Sequence, residues 1–312
     1  MSYPEAFSSE AAREFQLLKL GSLTVKTVVM DQLDPRLDIF ESIFRSAERI
    51  EFELAPPPLR NIALLAERSP AAEERAATLR DWLGPTHPEL HIEIILVGAD
   101  LDRSSLLARL AAPKPDLIVS QRHIGQGDSI WHQGLGGLAD FLIQHHPAPL
   151  WVLSDETCLD RHMTNKRSAL LIDFPLDNHL LVNWGVMATP TDGELKLMRV
   201  EPQDQIEKLM RSIQRVKDIP TETTRHALQQ ELLHESTAFM TSCLTGIFKS
   251  RPDIKVTQAL AQAIMLPTYL SWIQDYSPTL VAVDGRDGDR AVNRGLASGI
   301  AVDYPNVGLM IL

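Results

Sequence analysis

Short apolar runs alternate with amphipathic stretches along the whole chain, and this alternation constrains the fold most strongly. The apolar runs are five to eight residues long, are rich in Val, Ile and Leu, and are punctuated by Pro, Gly or Asp. Such alternation predicts an α/β fold with a largely parallel sheet. We predict strands at residues 23–30, 49–54, 91–97, 116–120, 150–154, 168–173, 195–200, 254–258, 279–283 and 308–312. We predict helices at residues 35–47, 70–83, 101–110, 135–145, 177–187, 204–217, 221–249, 262–276 and 290–300.

The two halves of the chain show the same order of features. The first predicted strands end at Asp31 and Asp173, which are 142 residues apart, whereas the prolines before the fourth strands, Pro115 and Pro278, are 163 apart. The difference of 21 residues indicates an insertion in the second half, at about residues 204–249. We interpret the chain as a duplicated domain; two unrelated α/β domains are the alternative.

The repeat sets the predicted domain boundaries. The first domain covers residues 1–155 and the second covers residues 166–312, with the polar segment 156–165 as the linker. Each domain is expected to be a flavodoxin-like, five-stranded, mostly parallel sheet with helices on both faces. The two domains are expected to pair as an internal pseudo-dimer.

Net charge and cysteine content exclude several classes of protein. A formal charge of −11 disfavours general nucleic-acid binding, because the phosphate backbone would be repelled. The apolar runs are far shorter than the ~20 residues that a spanning helix needs. The first residues carry no basic and apolar signal, and two isolated cysteines, Cys158 and Cys243, are typical of a reducing compartment. We therefore expect a cytoplasmic protein without a membrane partner.

A glycine-rich turn follows the predicted strand 279–283. Gly285 and Gly288 are followed by Gly295 and Ser298 in the next predicted helix. Glycines let backbone N–H groups approach a phosphate, and a helix N-terminus favours its negative charge. A tight turn without a ligand is the alternative, since the aspartates in this loop repel phosphate unless its arginines offset them. These residues are Asp284, Asp287, Asp289, Arg286 and Arg290.

Catalytic and metal-binding signatures are weak in this sequence. His87 and His91 are four residues apart, but Pro88 separates them and no third ligand follows. We find no Gly-x-Ser-x-Gly elbow, no Walker loop and no Cys-x-x-Cys pair. We therefore predict no catalytic residues and no metal site, so the protein is expected not to be an enzyme.

The order of these motifs resembles a tandem universal stress protein, with two copies of one domain in a single chain. Residues 116–119 read Asp-Leu-Ile-Val, as in the fourth strand of that family, and residues 147–153 resemble its Pro-x-Pro-Val-Leu-Val last strand. Members that bind ATP carry Gly-x2-Gly-x9-Gly-Ser/Thr between these strands. The resemblance implies an adenine-nucleotide-hydrolase-like fold for each domain.

The resemblance also implies where a nucleotide would bind. The first-strand Asp lies near the adenine pocket in this family, and the glycines hold the triphosphate. In the second domain the implied residues for ATP or AMP are Asp173, Gly285, Arg286, Gly288, Gly295 and Ser298. In the first domain Asp31, Arg122 and Gly134 remain, while Gln121 and Ile124 replace glycines and Leu135 replaces Ser/Thr, so this site is expected to be degenerate.

Two functions follow as hypotheses. The first is a cytoplasmic stress-response protein that binds an adenine nucleotide or a related small ligand in its second domain. The second is a scaffold without a nucleotide, which acts through protein partners by means of the insertion 204–249. A homodimer is compatible with either hypothesis, and slow nucleotide hydrolysis is a third, less supported activity.

Overall fold

A computed structural model describes the chain over residues 52–67, 70–98, 102–125, 134–172, 179–203, 207, 210–211, 221–285 and 294–312. The predicted strand 23–30, the predicted helix 35–47 and most of the predicted helix 204–217 lie outside these residues. The strands in the described residues are β1 (Asn61–Ala66), β2 (His91–Leu96), β3 (Leu117–Gln121), β4 (Leu150–Leu153), β5 (Arg167–Ile172), β6 (Glu194–Pro202), β7 (Lys255–Ala263), β8 (Leu280–Val283) and β9 (Gly308–Ile311). The helices are α1 (Ala71–Leu83), α2 (Arg103–Ala111), α3 (Gly137–His145), α4 (Cys158–Asn165), α5 (His179–Ala188), α6 (Thr221–Ser250), α7 (Met265–Tyr276) and α8 (Arg294–Asp303).

Local sequence explains how several of these elements begin. The Asp102 carboxylate accepts hydrogen bonds from the N–H groups of Ser104 and Ser105, which caps the first turn of α2. Glu73 and Glu74 lie in the first turn of α1, where acidic side chains interact favourably with the partial positive charge of the helix N-terminus. The strands β3, β4, β8 and β9 are short and almost fully buried, as strands covered by helices on both faces must be.

All nine strands form one sheet in the order β2-β1-β3-β4-β9-β8-β5-β6-β7. Every neighbouring pair is parallel except β4 and β9, which pair antiparallel through Leu150↔Ile311, Trp151↔Met310 and Val152↔Leu309. The predicted α/β fold with a mostly parallel sheet is therefore confirmed. Away from the β4–β9 junction, the first half runs β4, β3, β1, β2 and the second half runs β9, β8, β5, β6, β7.

This order places β1 where β5 lies in the other half, and β2 where β6 lies. The first half thus contributes four described strands, and no described strand occupies the position that β7 has in the second half. By strand order the residue after β1 that corresponds to Asp173 is Glu67, whereas Asp31 lies outside the described residues. A duplicated domain would give this arrangement, and the predicted duplication and its domain boundaries stay predictions.

Helices cover both faces of the sheet. The buried side chains of α1, α4, α5 and α6 belong to the core on one face. Those of α2, α3, α7 and α8 belong to the core on the other face. Strands contribute alternate residues to the two cores, as the pleat requires: Leu195 and Leu197 of β6 belong to the first core, and Met198 and Val200 to the second.

Two elements differ from the sequence-based expectation. The predicted strand 49–54 is wrong where it is described, because residues 52–60 form no strand and β1 begins after the prolines at 56–58. Proline has no N–H to donate to a sheet ladder. The predicted linker 156–165 contains α4, whose residues Cys158, Leu159 and His162 share one face and are buried, and its role as a boundary between domains stays a prediction.

Candidate functional site

This topology provides a crevice at the C-terminal ends of β5 and β8, which we call the carboxyl edge of these strands. The two strands are adjacent and parallel, with Leu171 opposite Val283. The chain leaves β5 toward α5 on one face and β8 toward α8 on the other face. In open α/β sheets such a switch point leaves a cleft beyond the strand ends, where ligands bind. Asp173 directly follows β5 and is thus next to this edge in sequence, outside the described residues.

The structure gives Gly285 a packing role. Its N–H donates to the carbonyl of Leu312 at 3.0 Å, which extends the β8–β9 ladder. A Cβ at Gly285 would lie only 2.2 Å from Cγ2 of Ile311. Contact with β9 therefore requires glycine at position 285 whether or not a ligand binds. This packing role is compatible with the alternative named above, a tight turn without a ligand.

The rest of the predicted second site is described in part. Gly295 lies in the first turn of α8, and a Cβ added to it would meet no atom within 4 Å. Ser298 is half-buried one turn further along α8. Arg286 and Gly288 lie outside the described residues. The first turn of α8 thus has open space beside Gly295.

Next to this crevice, the ends of β5 and β6 are closed by a buried ion pair. Nε of Arg199 donates to Oε1 of Glu201 at 2.7 Å and to Oγ of Ser236 on α6 at 3.0 Å. The Ser236 hydroxyl also donates to Glu201. Nη1 of Arg199 donates to the carbonyl of Ile172 at 3.3 Å, and the Arg199 and Glu201 side chains are each 5% exposed.

Tyr269 of α7 reaches the same strand ends from the opposite face. Its hydroxyl donates to the carbonyl of Ile172 at 3.2 Å and accepts the N–H of Val200 at 3.1 Å. Side chains from both faces therefore fill the gap between β5 and β6. The sequence analysis missed this network; its signal was the charged pair Arg199 and Glu201 directly after the apolar residues Leu197 and Met198.

The corresponding edge of the first half is occupied by its own side chains. Nη1 of Arg75, a buried residue of α1, donates to Oε1 of Gln121 at the end of β3, at 3.1 Å. The N–H of Gly125 donates to Oε1 of Glu67 at 3.0 Å. Gly134 has a positive φ of 81°, and a Cβ added to it would meet no atom within 4 Å. These contacts are compatible with the expected degenerate site, which stays a prediction.

Arg122, which was assigned to that degenerate site, contacts the second half instead. Nη1 donates to the carbonyls of Ala301 and Pro305, each at 3.0 Å, and Nη2 donates to the carbonyl of Val307 at 2.6 Å. The side chain is 7% exposed, and burial lowers its pKa. Arg122 thus caps the end of α8 and anchors the segment before β9.

His162 makes a second buried contact across the junction. Nε2 lies 2.8 Å from the carbonyl of Ala188, at the end of α5, and Nδ1 lies 2.8 Å from Oγ1 of Thr279. The rings of Trp82 and Trp151 pack against the imidazole at 5.6 and 6.0 Å between centroids. Burial lowers the pKa of His162 to about 4, so the ring is neutral at pH 7.

Two further observations concern metals and membranes. In the described parts of the chain, no group of three or more His, Cys, Asp or Glu side chains is placed to hold a metal ion. Within the same parts, none of the helices combines the length and the apolar composition that crossing a bilayer requires.

Comparison with known proteins gives likeness at the level of three-dimensional structure. No protein-family model and no curated protein matches the sequence. A protein of unknown function from Pseudomonas aeruginosa PAO1 is similar with a TM-score of 0.47 and 12% identity, over 82% of this chain and 93% of that one. A universal stress protein from Archaeoglobus fulgidus DSM 4304 is similar with a TM-score of 0.44 and 9% identity, over 81% of this chain and 97% of that one.

A candidate universal stress protein from Pseudomonas aeruginosa UCBPP-PA14 has a TM-score of 0.44 and 12% identity, over 91% of this chain and 90% of that one. The fold is similar to solved universal stress proteins. At these TM-scores the likeness carries no argument about function.

Proposed function

We propose that this chain is a stress-response protein of the cytoplasm that binds an adenine nucleotide, ATP or AMP, at the carboxyl edge of β5 and β8. The observation that carries the proposal is the switch point itself. The adjacent parallel strands β5 and β8 are followed along the chain by helices that lie on opposite faces of the sheet, and the sequence between β8 and α8 contains Gly285 and Gly288. A phosphate bound there would face the helix N-terminus.

The buried network beside this crevice restricts where the nucleotide could lie. Arg199, Glu201 and Tyr269 fill the ends of β5 and β6, so that side offers no room for a base. The ligand is therefore proposed to lie between the ends of β5 and β8. Asp173 would contact the nucleoside, and Arg286 would balance the phosphate charge.

A matched pair of substitutions at Gly295 tests this proposal. Gly295→Ala adds a methyl group into open space and should leave binding intact. Gly295→Asp puts a carboxylate in the first turn of α8, which the helix dipole tolerates but a phosphate would not. Isothermal titration with ATP, ADP and AMP should show binding to the parent chain and to Gly295→Ala. We expect the affinity to fall at least about tenfold in Gly295→Asp, a change of ~1.4 kcal/mol.

Native mass spectrometry of the untreated full chain complements the titration, since it reports any nucleotide that is retained during purification. Absence of bound nucleotide together with absence of binding heat would reject the proposal. Equal binding by Gly295→Ala and Gly295→Asp would reject the proposed position of the phosphate.

The second candidate function is a scaffold that binds no nucleotide. The closed ends of β5 and β6 favour it, because the protein's own side chains already occupy part of the edge where ligands of this fold class bind. Deleting the insertion cannot test it, since α6 contributes the buried Met240 and Cys243. A protein with intact fold and no nucleotide binding would support the scaffold function.

A further inference from the structure

The outer edge of β7 lacks the features that protect sheet edges. None of the described strands pairs with that edge. Exposed edge strands of monomers are usually kept apart by charges, proline or bulges. The register of β7 with β6 is unbroken over nine residues, the strand contains no proline, and its only charged residue is Lys255 at the start. The opposite edge strand, β2, is shorter and carries Glu93 near its middle.

The helix next to this edge, α6, has an uncharged exposed flank. No Asp, Glu, Lys or Arg occurs from residue 237 to residue 248. Thr237, Thr241 and Thr245 are exposed, and Phe248 is 72% exposed. A surface helix normally places charged residues on its outer side. An exposed phenylalanine among threonines is therefore typical of a helix that packs against another surface.

The contacts of α6 show which way this flank faces. Phe239 packs against His179 of α5 at 5.7 Å, and Ser242 accepts the N–H of Phe52 at 2.8 Å, so that side faces α5. At 100° per residue, Thr237 and Phe248 lie on the other side of the helix. The helix packs over β6 and β7, so its uncharged flank faces the space beyond the outer edge of β7.

The order of side chains on this flank is self-complementary. In an antiparallel pair of α6 helices related by a two-fold axis between residues 242 and 243, Phe248 of one copy lies opposite Thr237 of the other. In the same register Leu244 lies opposite Thr241. A large side chain thus meets a small one at each level, as close packing between helices requires.

The same axis fits β7. The two-fold axis crosses α6 midway between residues 242 and 243, which is 7.5 residues before the end of the helix, or roughly 11 Å along it. A short turn, residues 251–254, then reverses the chain into β7. About 11 Å along a strand is three to four residues, which brings the axis close to Ala259, the middle residue of β7. A single two-fold axis therefore pairs both elements with their own copies.

We propose that a second copy of this chain binds at the β7 edge, with β7 pairing antiparallel to its counterpart and α6 packing on its counterpart. The nine described strands of each copy would then belong to one continuous sheet. A second copy is the fitting partner because each chain carries a net charge of −11, and this uncharged surface lets two such chains meet without bringing like charges together. A charged partner would find no counter-charge here.

A charge-swap experiment on the full-length chain tests the dimer. Sedimentation velocity at pH 7.5 should give twice the 34.8 kDa of one chain at high protein concentration. Phe248→Glu should raise the dimer dissociation constant at least about tenfold, because it buries an unpaired carboxylate against the uncharged flank of the other copy. Adding Thr237→Lys should restore the dimer, since Lys and Glu would then face each other twice across the axis.

The control for the charge swap is Leu96→Glu, at the end of the opposite edge strand β2, which should leave the dimer unchanged. Leu96 is 42% exposed and Phe248 is 72% exposed, so both variants should fold. A monomer at all concentrations up to about 100 μM would overturn the proposal. So would a dimer that Phe248→Glu leaves intact, or a double variant that does not recover.

A disulfide test reports on the strand register independently. Opposed residues of antiparallel strands have Cα atoms about 4.5–5.5 Å apart, within the range that a disulfide spans. Ala259→Cys should therefore cross-link two copies under mild oxidation. Cys158 and Cys243 are both buried and give no background. Failure of Ala259→Cys to cross-link would exclude the proposed two-fold register.

Discussion

Mild acid should destabilise this protein through one residue, His162. Nε2 must donate to the carbonyl of Ala188, because a carbonyl can only accept, so Nδ1 of the neutral ring accepts the hydroxyl proton of Thr279. When the ring is protonated, Nδ1 also donates, and the Thr279 hydroxyl can donate to the carbonyl of Arg167, 3.0 Å away. Both states keep their hydrogen bonds, so the energetic difference arises from burying the charge.

The surroundings of His162 compensate only weakly for a positive charge on its ring. Trp82 of α1 and Trp151 of β4 pack against the ring, and Ala188 and Thr279 contribute only a carbonyl and a hydroxyl. Burial is the main cause of the lowered pKa, and the hydrogen bond to Ala188 opposes it. No ionised side chain contributes to the shift among the described residues.

The sign and size of the effect follow from linkage. The pKa is about 4 in the folded chain against an ordinary value of 6.5, so between these pH values the unfolded state binds more protons. Stability from the neutral ring is complete above pH 6.5 and is lost as the pH falls toward 4. The loss between pH 7 and pH 4.5 is about 2 kcal/mol, and it approaches ~3 kcal/mol at lower pH.

Urea unfolding at several pH values between 4.5 and 7 measures this loss. His162→Gln keeps a donor for Ala188 but cannot titrate, so its free energy of unfolding should be lower at pH 7 by about 1–2 kcal/mol and should depend much less on pH. His87→Gln is the control, because burial lowers the pKa of His87 also, but that residue is less buried. Parallel pH profiles for the parent chain and His162→Gln would refute the reasoning.

Three further substitutions probe the junction and the buried network, each by urea unfolding. Arg122→Ala removes donors to three carbonyls and should lower the free energy of unfolding by about 2–4 kcal/mol, and Arg122→Lys should recover only part of this loss. An unchanged free energy of unfolding in Arg122→Ala would contradict the anchoring role of Arg122. Gly285→Ala should cost about 1–3 kcal/mol through the clash with Cγ2 of Ile311, and Ile311→Leu, which lacks that branch methyl, should relieve part of the loss. Glu201→Ala leaves Arg199 buried without its carboxylate and should cost about 3–5 kcal/mol, whereas a loss below ~1 kcal/mol would show that water reaches Arg199.

The sequence predicted the second half of the sheet better than the first for a physical reason. The strands β5, β8 and β9 are mostly apolar runs bounded by turn residues, which is the pattern of strands buried on both faces. The strand β1 reads Asn-Ile-Ala-Leu-Leu-Ala, and alanine and leucine favour helices when taken alone. Its position between β2 and β3 overrides that preference.

The candidate site shows a similar division. Gly285 was found from its local glycine pattern, but its main constraint is contact with Ile311, which only the β8–β9 pairing creates. Arg199, Ser236 and Tyr269 come from segments more than thirty residues apart in sequence. Their contacts depend on how α6 and α7 cross the sheet, and no local motif encodes that.

The junction between the halves also determines how the chain can associate. Because the last strand of each half, β4 or β9, pairs with the other, both lie inside the sheet. In the described part of the chain only β2 and β7 are edge strands. If both edges accepted a partner, head-to-tail addition would produce an open filament. Because β2 is short and carries Glu93, whereas β7 is long and uncharged beyond Lys255, only β7 is suited to pairing. Pairing through one edge alone closes after two copies, so this asymmetry favours a two-fold dimer over continued growth.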